Sequence, residues 1–260
     1  MAQKTAPDDL VQELELLGIS ADSYDYTPLG GVRRVIARRM TESARDVPHY
    51  ALQMRIILDP LIDLRARIND GAQVKISIND LLIKACALSL TESPGVNVSF
   101  TSRGIIQHHH ADVAFAVAIE DGLVTPIVRA AEAKSVRDIA VEARDLAARA
   151  RARRLAPQEF IGGTFTISNL GMYDISSFGS IINQPQACIL SVGAAERAFV
   201  FRGDEPVAAT VMNVTLTCDH RAVDGTVGAQ WLGFFRKLLE NPEPLDDLEV
   251  KSERQEDTHA

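Results

Sequence analysis

The run Ala111–Gly122, ADVAFAVAIEDG, constrains the fold more than any other part of the chain. Val113, Phe115, Val117 and Ile119 fall on one side of an extended strand, with alanines on the other. A strand apolar on both faces needs cover on both, so it belongs in the middle of a sheet enclosed on both sides. Helices to cover such a sheet are legible. Residues 59–69 begin with Asp59 as N-cap and Pro60 at the first helical position, and would bury Leu61, Leu64 and Ile68. SINDLLIKACALSL (77–90) is apolar nearly all round and reads as an enclosed helix. Ser135 opens a long helix with Asp138 in a capping-box arrangement and Val136, Ile139, Ala143, Leu146 and Ala150 as its inner stripe. Asp224 caps a last helix with Val227, Trp231, Phe234, Phe235 and Leu238 as its apolar stripe.

Further strands are expected in HYALQMRIILD, where Tyr50, Leu52, Met54, Ile56 and Leu58 share a side, and in VNVSF, GIIQHH, GGTFTISNL, QACILSVG and VAATVMNVTLTC. Strands and helices mix without regular alternation. The expectation is a single α/β domain, a mixed β-sheet with flanking helices. Residues 1–26 read as an N-terminal extension or linker, with one short amphipathic helix through Val11, Leu14 and Leu17. The main domain reads as 27–242, opening with a helix that puts Val32, Val35, Ile36 and Met40 on one face. Residues 243–260 read as a charged, frayed tail.

A formal charge of −8 argues against a general nucleic-acid binder, which needs a basic surface. No stretch approaches ~20 apolar residues, so no membrane span is expected. The beginning, MAQKTAPDDL, has neither the apolar core of a signal peptide nor a transit-peptide composition. Cys86, Cys188 and Cys218 lie inside apolar runs without CxxC pairing, which suggests a reducing compartment. A cytoplasmic location is the expectation.

His220, in TCDHRAVDG, follows a long apolar strand and precedes a capped helix. A histidine there is either a satisfied core residue or a side chain projecting into a cleft, with Asp219, Arg221 and Asp224 bracing the junction. Ser168 closes the strand in GGTFTISNLGM, where Gly171 permits a sharp turn. Its hydroxyl either bonds the local backbone or points into a cleft. His108 and His110 would share a face in a strand, but no carboxylate or cysteine stands at a diagnostic metal spacing, so no metal is expected. Arg149, Arg151, Arg153 and Arg154 read as a solvated helix face, with a phosphate patch as the alternative.

DHRAVDG (219–225) resembles the DHRxxDG signature of the dihydrolipoamide acyltransferase component of 2-oxo acid dehydrogenase complexes, whose fold is chloramphenicol acetyltransferase-like. Other segments agree in order: RRVIARRMTES (33–43) with VPHY (47–50), INDLLIKACALSL (78–90), DGLVTPIVRAAEAKS (121–135), GGTFTISNLGM (162–172) and INQPQACILSVG (182–193). SNLGM and INQPQACILSVG look more like the acetyl-transferring, pyruvate members. The resemblance implies acetyl transfer between the thiols of dihydrolipoamide and coenzyme A. His220 would be the general base and Ser168 the donor to the oxyanion. Asp224 would pair with Arg33 or Arg34, a choice the sequence leaves open. Coenzyme A is then a substrate. The lipoyl group arrives in trans or on an N-terminal domain not contained in this sequence. The implied assembly is a homotrimer or a larger assembly of trimers, with histidine and serine supplied by different chains, partnered by a lipoyl domain and the other complex components. The stretch YDISS (173–177) departs from the family's usual small and basic residues. Two alternatives stand beside this reading: a silent scaffold of the same fold, and an acyltransferase for a hydroxyl acceptor.

Overall fold

The computed structural model describes residues 6–120 and 122–246. The chain divides into two compact units, one up to Arg38 and one from Arg39 on. The first contains helix α1 (Asp8–Leu16); α2 (Gly31–Asp46) begins in it. Near the other end of the described residues Leu245 is fully buried. The frayed tail expected over 243–260 lies, from 247 on, outside the described residues. On α2, Val32 and Val35 are exposed despite their apolar pattern.

The second unit continues with β1 (His49–Ile57), α3 (Asp59–Asn69), α4 (Ile78–Glu92), β2 (Val98–Thr101), β3 (Gly104–Gln107), β4 (Val113–Phe115), β5 (Val117–Ile119), β6 (Gly122–Val124) and β7 (Ile127–Val128). It closes with α5 (Val136–Arg151), β8 (Phe165–Asn169), β9 (Cys188–Arg202), β10 (Glu205–Asp219) and α6 (Gly225–Glu240). Six strands form one mixed sheet in the order β1-β10-β9-β8-β4-β7. The pairs β9–β8 and β8–β4 are parallel and the other three antiparallel. The mixed sheet with flanking helices is as expected.

The apolar run from Val113 to Ile119 is not one continuous strand. Val113, Ala114 and Phe115 are buried as expected, between β8 and β7. Beyond Ala116 the chain leaves the large sheet, and β5 pairs only with β6. Both halves keep one hairpin register, Val113 opposite Val128 and Val117 opposite Val124. The ladder is interrupted at Pro126, which has no N–H to donate and offers only its carbonyl, to the Phe115 N–H at 3.0 Å.

One helix start and one helix face differ from expectation. Leu58, not Asp59, is the N-cap of α3, and the Asp59 carboxylate instead accepts the Thr210 N–H at 2.9 Å, tying the helix to β10. On α6 the buried residues are Gly228, Trp231, Leu232, Phe235 and Leu239, while Phe234 is exposed. The stripe is rotated because Gly228 faces β1: a Cβ there would lie 2.9 Å from Leu52 Cδ1. Trp231 and Phe235 are buried and Val227 and Leu238 pack against the core as expected, but hydropathy patterning gives glycine no weight and so includes Phe234 in place of Gly228. The enclosed helix α4 buries ten residues and starts with a reciprocal capping box between Ser77 and Asp80. Helix α5 buries its expected stripe.

The sheet has two unlike faces. Leu190, Val192, Val214, Leu216, Phe165 and Ile167 belong to the main core. Trp231 of α6 stacks on Phe235 at 5.3 Å and meets Phe165 of β8 at 5.1 Å. The opposite face carries Thr166, Ser191, Thr215 and Thr217, all buried. The segment 174–186 covers it. Gln186 accepts the Thr166 hydroxyl, Ser180 hydrogen-bonds Ser191 at 2.6 Å, and Ile182 packs with Ile189 and Val47. The three cysteines are free and buried. Burial pushes the Cys86 and Cys188 thiols up, while the hydrogen bond from Cys188, its cross-strand partner, holds Cys218 below the ordinary thiol value.

Candidate active site

His220 is the first residue after β10, in a turn built almost wholly from its neighbours. The buried Asp219 carboxylate accepts three hydrogen bonds from Arg221: the backbone N–H at 3.0 Å, Nε at 2.9 Å and Nη2 at 2.8 Å. The same carboxylate holds the guanidinium above its ordinary pKa. Arg221 lies 4.1 Å over the Phe100 ring, and its Nη1 donates to Asp46 O at 3.2 Å. The Asp219 carbonyl accepts the N–H groups of Ala222 and Val223, and the His220 N–H donates to Pro48 O at 3.1 Å. A turn so fully satisfied is rigid, yet the histidine it carries is exposed. This is a braced, accessible imidazole, not a satisfied core histidine.

Asp219 and Arg221 brace the junction as expected. Asp224 occupies the N-cap position of α6 but makes no side-chain cap bond, so the expected cap is absent and its exposed carboxylate is left for another use. The charge-assisted bonds at Asp219 are mostly shielded from water. Asp219→Ala is expected to destabilise the domain by about 2–4 kcal/mol, read as a lower urea midpoint.

Ser168 is the penultimate residue of β8 and half-buried, on the hydroxyl-bearing face. The chain then turns sharply. Asn169 Oδ1 accepts the Gly171 N–H at 2.8 Å, and Leu170 N–H donates to Val192 O. Gly171 is needed for close approach: a Cβ there would lie 2.9 Å from Gly193 O.

Register fixes how far the two candidate residues stand apart. Ser168 pairs with Ser191, and Ser191 with Thr215. His220 lies five residues beyond Thr215 along β10. At ~3.3 Å per residue and ~4.8 Å per strand, their backbones are about 17 Å apart lengthwise and about 10 Å sideways, on the order of 20 Å. Within one chain they cannot serve the same carbonyl, which needs both groups within ~3 Å.

Arg33 and Arg34 are exposed on α2 before the break at Arg38, and Arg34 Nη2 donates to Leu29 O at 3.3 Å. The histidine triplet follows β3 rather than lying in it. His108 meets Ser99 and His110 meets Glu132, each at 2.9 Å, and no three metal-ligating side chains gather among the described residues. Arg149 is engaged by Asp145 at 2.8 Å and by Glu159 at 2.6 Å, which fits the solvated-face reading better than a phosphate patch. Among the described residues no helix is long and apolar enough to cross a membrane.

The family model for 2-oxoacid dehydrogenases acyltransferase (catalytic domain) matches residues 21–245. The chain belongs to this acyltransferase family. The dihydrolipoyllysine-residue acetyltransferase component of the pyruvate dehydrogenase complex of Rhizobium meliloti (strain 1021) is 47% identical over 227 residues, covering 85% of this chain and 51% of that protein. The corresponding component of Rickettsia bellii (strain RML369-C) is 43% identical over 232 residues, covering 88% and 56%. The chain thus spans about half the length of the curated relatives it matches. Among solved structures, a probable dihydrolipoamide acetyltransferase from Listeria monocytogenes 4b F2365 superposes with a TM-score of 0.82 at 30% identity, covering 85% of this chain and 96% of that one. The Azotobacter vinelandii dihydrolipoamide acetyltransferase superposes with a TM-score of 0.83 at 27% identity, covering 93% and 98%. The chain therefore has the fold its motifs imply.

Proposed function

We propose that this chain transfers an acetyl group between the thiols of dihydrolipoamide and coenzyme A, as the catalytic core of a pyruvate dehydrogenase-type complex. The relatives bearing that name supply the substrate class. The observation in this chain that carries the reading is His220, exposed on a turn locked by the Asp219–Arg221 pair.

His220 takes the proton of the coenzyme A thiol as the sulfur attacks the thioester carbonyl. A positioned imidazole that takes this proton in the transition state contributes roughly 10²–10⁴-fold. The carbonyl oxygen becomes an oxyanion, to which the Ser168 hydroxyl donates. Collapse expels the dihydrolipoamide sulfur, which recovers the proton from the imidazolium. Running the steps backwards transfers the acetyl group the other way.

The distance between His220 and Ser168 in one chain favours a site shared by two chains, in a trimer or an assembly of trimers. The Azotobacter enzyme was studied for the catalytic role of a serine, a histidine and an asparagine four residues after that histidine. Here Asp224 stands four residues after His220, which supplies a negative charge at that place. Arg33 or Arg34 is the partner assigned to it in this reading. The lipoyl group comes on a domain outside this sequence or in trans. The buried free thiols support a reducing, cytoplasmic setting.

The test is acetyl transfer from acetyl-coenzyme A to free dihydrolipoamide by the purified protein, with an alcohol acceptor alongside and sedimentation on the same sample. Turnover with the dithiol, by a trimer or a multiple of three, is expected. No turnover from folded protein favours the scaffold; turnover with the alcohol alone favours a hydroxyl-acceptor enzyme; an active monomer contradicts the shared site.

A further inference from the structure

We infer that Tyr50 is a positioning residue whose ring holds the His220 imidazole in its working orientation. The inference rests on the acetyl-transfer reading above. The two rings lie with centroids 4.5 Å apart and planes tilted by 45°. His220 is exposed, so this packing restrains a side chain that would otherwise sample several rotamers. Tyr50 sits opposite Cys218 in the β1–β10 register, two residues before the histidine. The His220 N–H is bonded to Pro48 O, two residues before the tyrosine. Ring and backbone of the histidine are thus both referenced to the start of β1, so the strand sets position and direction together.

The tyrosine is itself held. Its hydroxyl is buried beside the Cys218 thiol, at the contact of β1 with α6. A Cβ on Gly228 would lie 3.3 Å from that oxygen and 3.5 Å from Cys218 Sγ, so the absent side chain at 228 makes room for the phenol. Burial, with the Cys218 thiol beside it, pushes the phenol up out of the range where it could ionise. The hydroxyl end therefore faces away from solvent and substrate. The ring face, turned toward His220, is what the site uses.

This division of labour separates two substitutions. Tyr50→Phe keeps the ring and is expected to retain kcat within about twofold. Tyr50→Leu keeps apolar bulk but loses the flat face, and is expected to lower kcat by about ten- to a hundredfold while the coenzyme A KM stays within about twofold. A merely structural role would not give that split, nor rescue by phenylalanine. A second readout needs no turnover. The ring protons of His220, identified by their loss in His220→Ala, should show an aromatic ring-current shift in wild type and Tyr50→Phe, and lose it in Tyr50→Leu. Cooperative thermal melting of each variant shows that it is folded.

Full kcat in folded Tyr50→Leu, a loss shared equally by Tyr50→Phe, or an unmoved His220 resonance would each overturn the inference. The acetyl-transfer reading would still stand, provided wild type turns over and His220→Ala does not. Wild-type protein without transfer would overturn both.

Discussion

Alanine at position 220 is expected to lower acetyl transfer from acetyl-coenzyme A to dihydrolipoamide by at least about a hundredfold, with the fold intact. The histidine is exposed and its ring packs on Tyr50, whereas the turn is held by Asp219 and Arg221. Removing the imidazole therefore removes the base and leaves the scaffold. Ser168→Ala should cost a comparable factor, since losing one oxyanion donor raises a barrier by about 2.7–4 kcal/mol. The stronger result comes from combining the two. The β8–β9–β10 register holds the residues apart in one chain. Co-expressed His220→Ala and Ser168→Ala chains should then recover activity that neither has alone. Random assortment in a closed ring gives an intact site at about one interface in four. Activity near a quarter of wild type is the expected reading before selection, and near a third in doubly tagged, co-purified trimers, where every mixed ring has one intact interface of three. Two dead variants that stay dead together would place both residues in a single chain's site, against the register.

Gly193→Ala carries the second large effect. A Cβ at 193 would lie 2.2 Å from Ser176 O and 2.7 Å from Ser176 C, with Ile175 O at 3.1 Å. These are backbone atoms, and they cannot swing aside as a side-chain tip can. The segment must lift off β9, breaking the bond from Ala194 N–H to Ile175 O at 2.7 Å. The expected loss is about 3 kcal/mol or more in urea unfolding. Transfer should fall as well, because the lifted segment is continuous with the turn that leaves Ser168. Gly233→Ala is the control: nothing lies within 4 Å of a Cβ there. In a helix that change should stabilise by about 0.5–1 kcal/mol. Equal effects of the two substitutions would rule out the close approach as the cause.

What could be read from the residues alone follows the kind of signal each carries. The stripes of α3 and α5 were legible because apolar side chains recur at helical spacing, and the burial of Leu61, Leu64 and Ile68 matches. The rotated face of α6 was not, because its closest contact is made by a glycine. The broken strand after Phe115 had its cause in plain view at Pro126, thirteen residues before Ile139, but the proline acts on a partner strand that periodicity does not identify. At the candidate site, His220 and Ser168 were singled out from the motif blocks. Their separation needed the strand register, which no single segment encodes. Tyr50 was read as one member of an apolar alternation, and its pattern holds. What the pattern omits is that the strand's first turn-facing ring meets a histidine about 170 positions away. Gly193 lay unremarked within INQPQACILSVG, because the segment that presses on it is distant in the pairing though near in the chain.

The aromatic contact between α6 and β8 has a practical corollary. Trp231 is the chain's one tryptophan, fully buried against Phe165 and Phe235. Its helix follows the histidine turn, and its neighbour Phe165 lies on the strand that ends at the serine. A single indole thus acts as a built-in fluorophore, dark to solvent, that reports on the seating of both elements at once without any label.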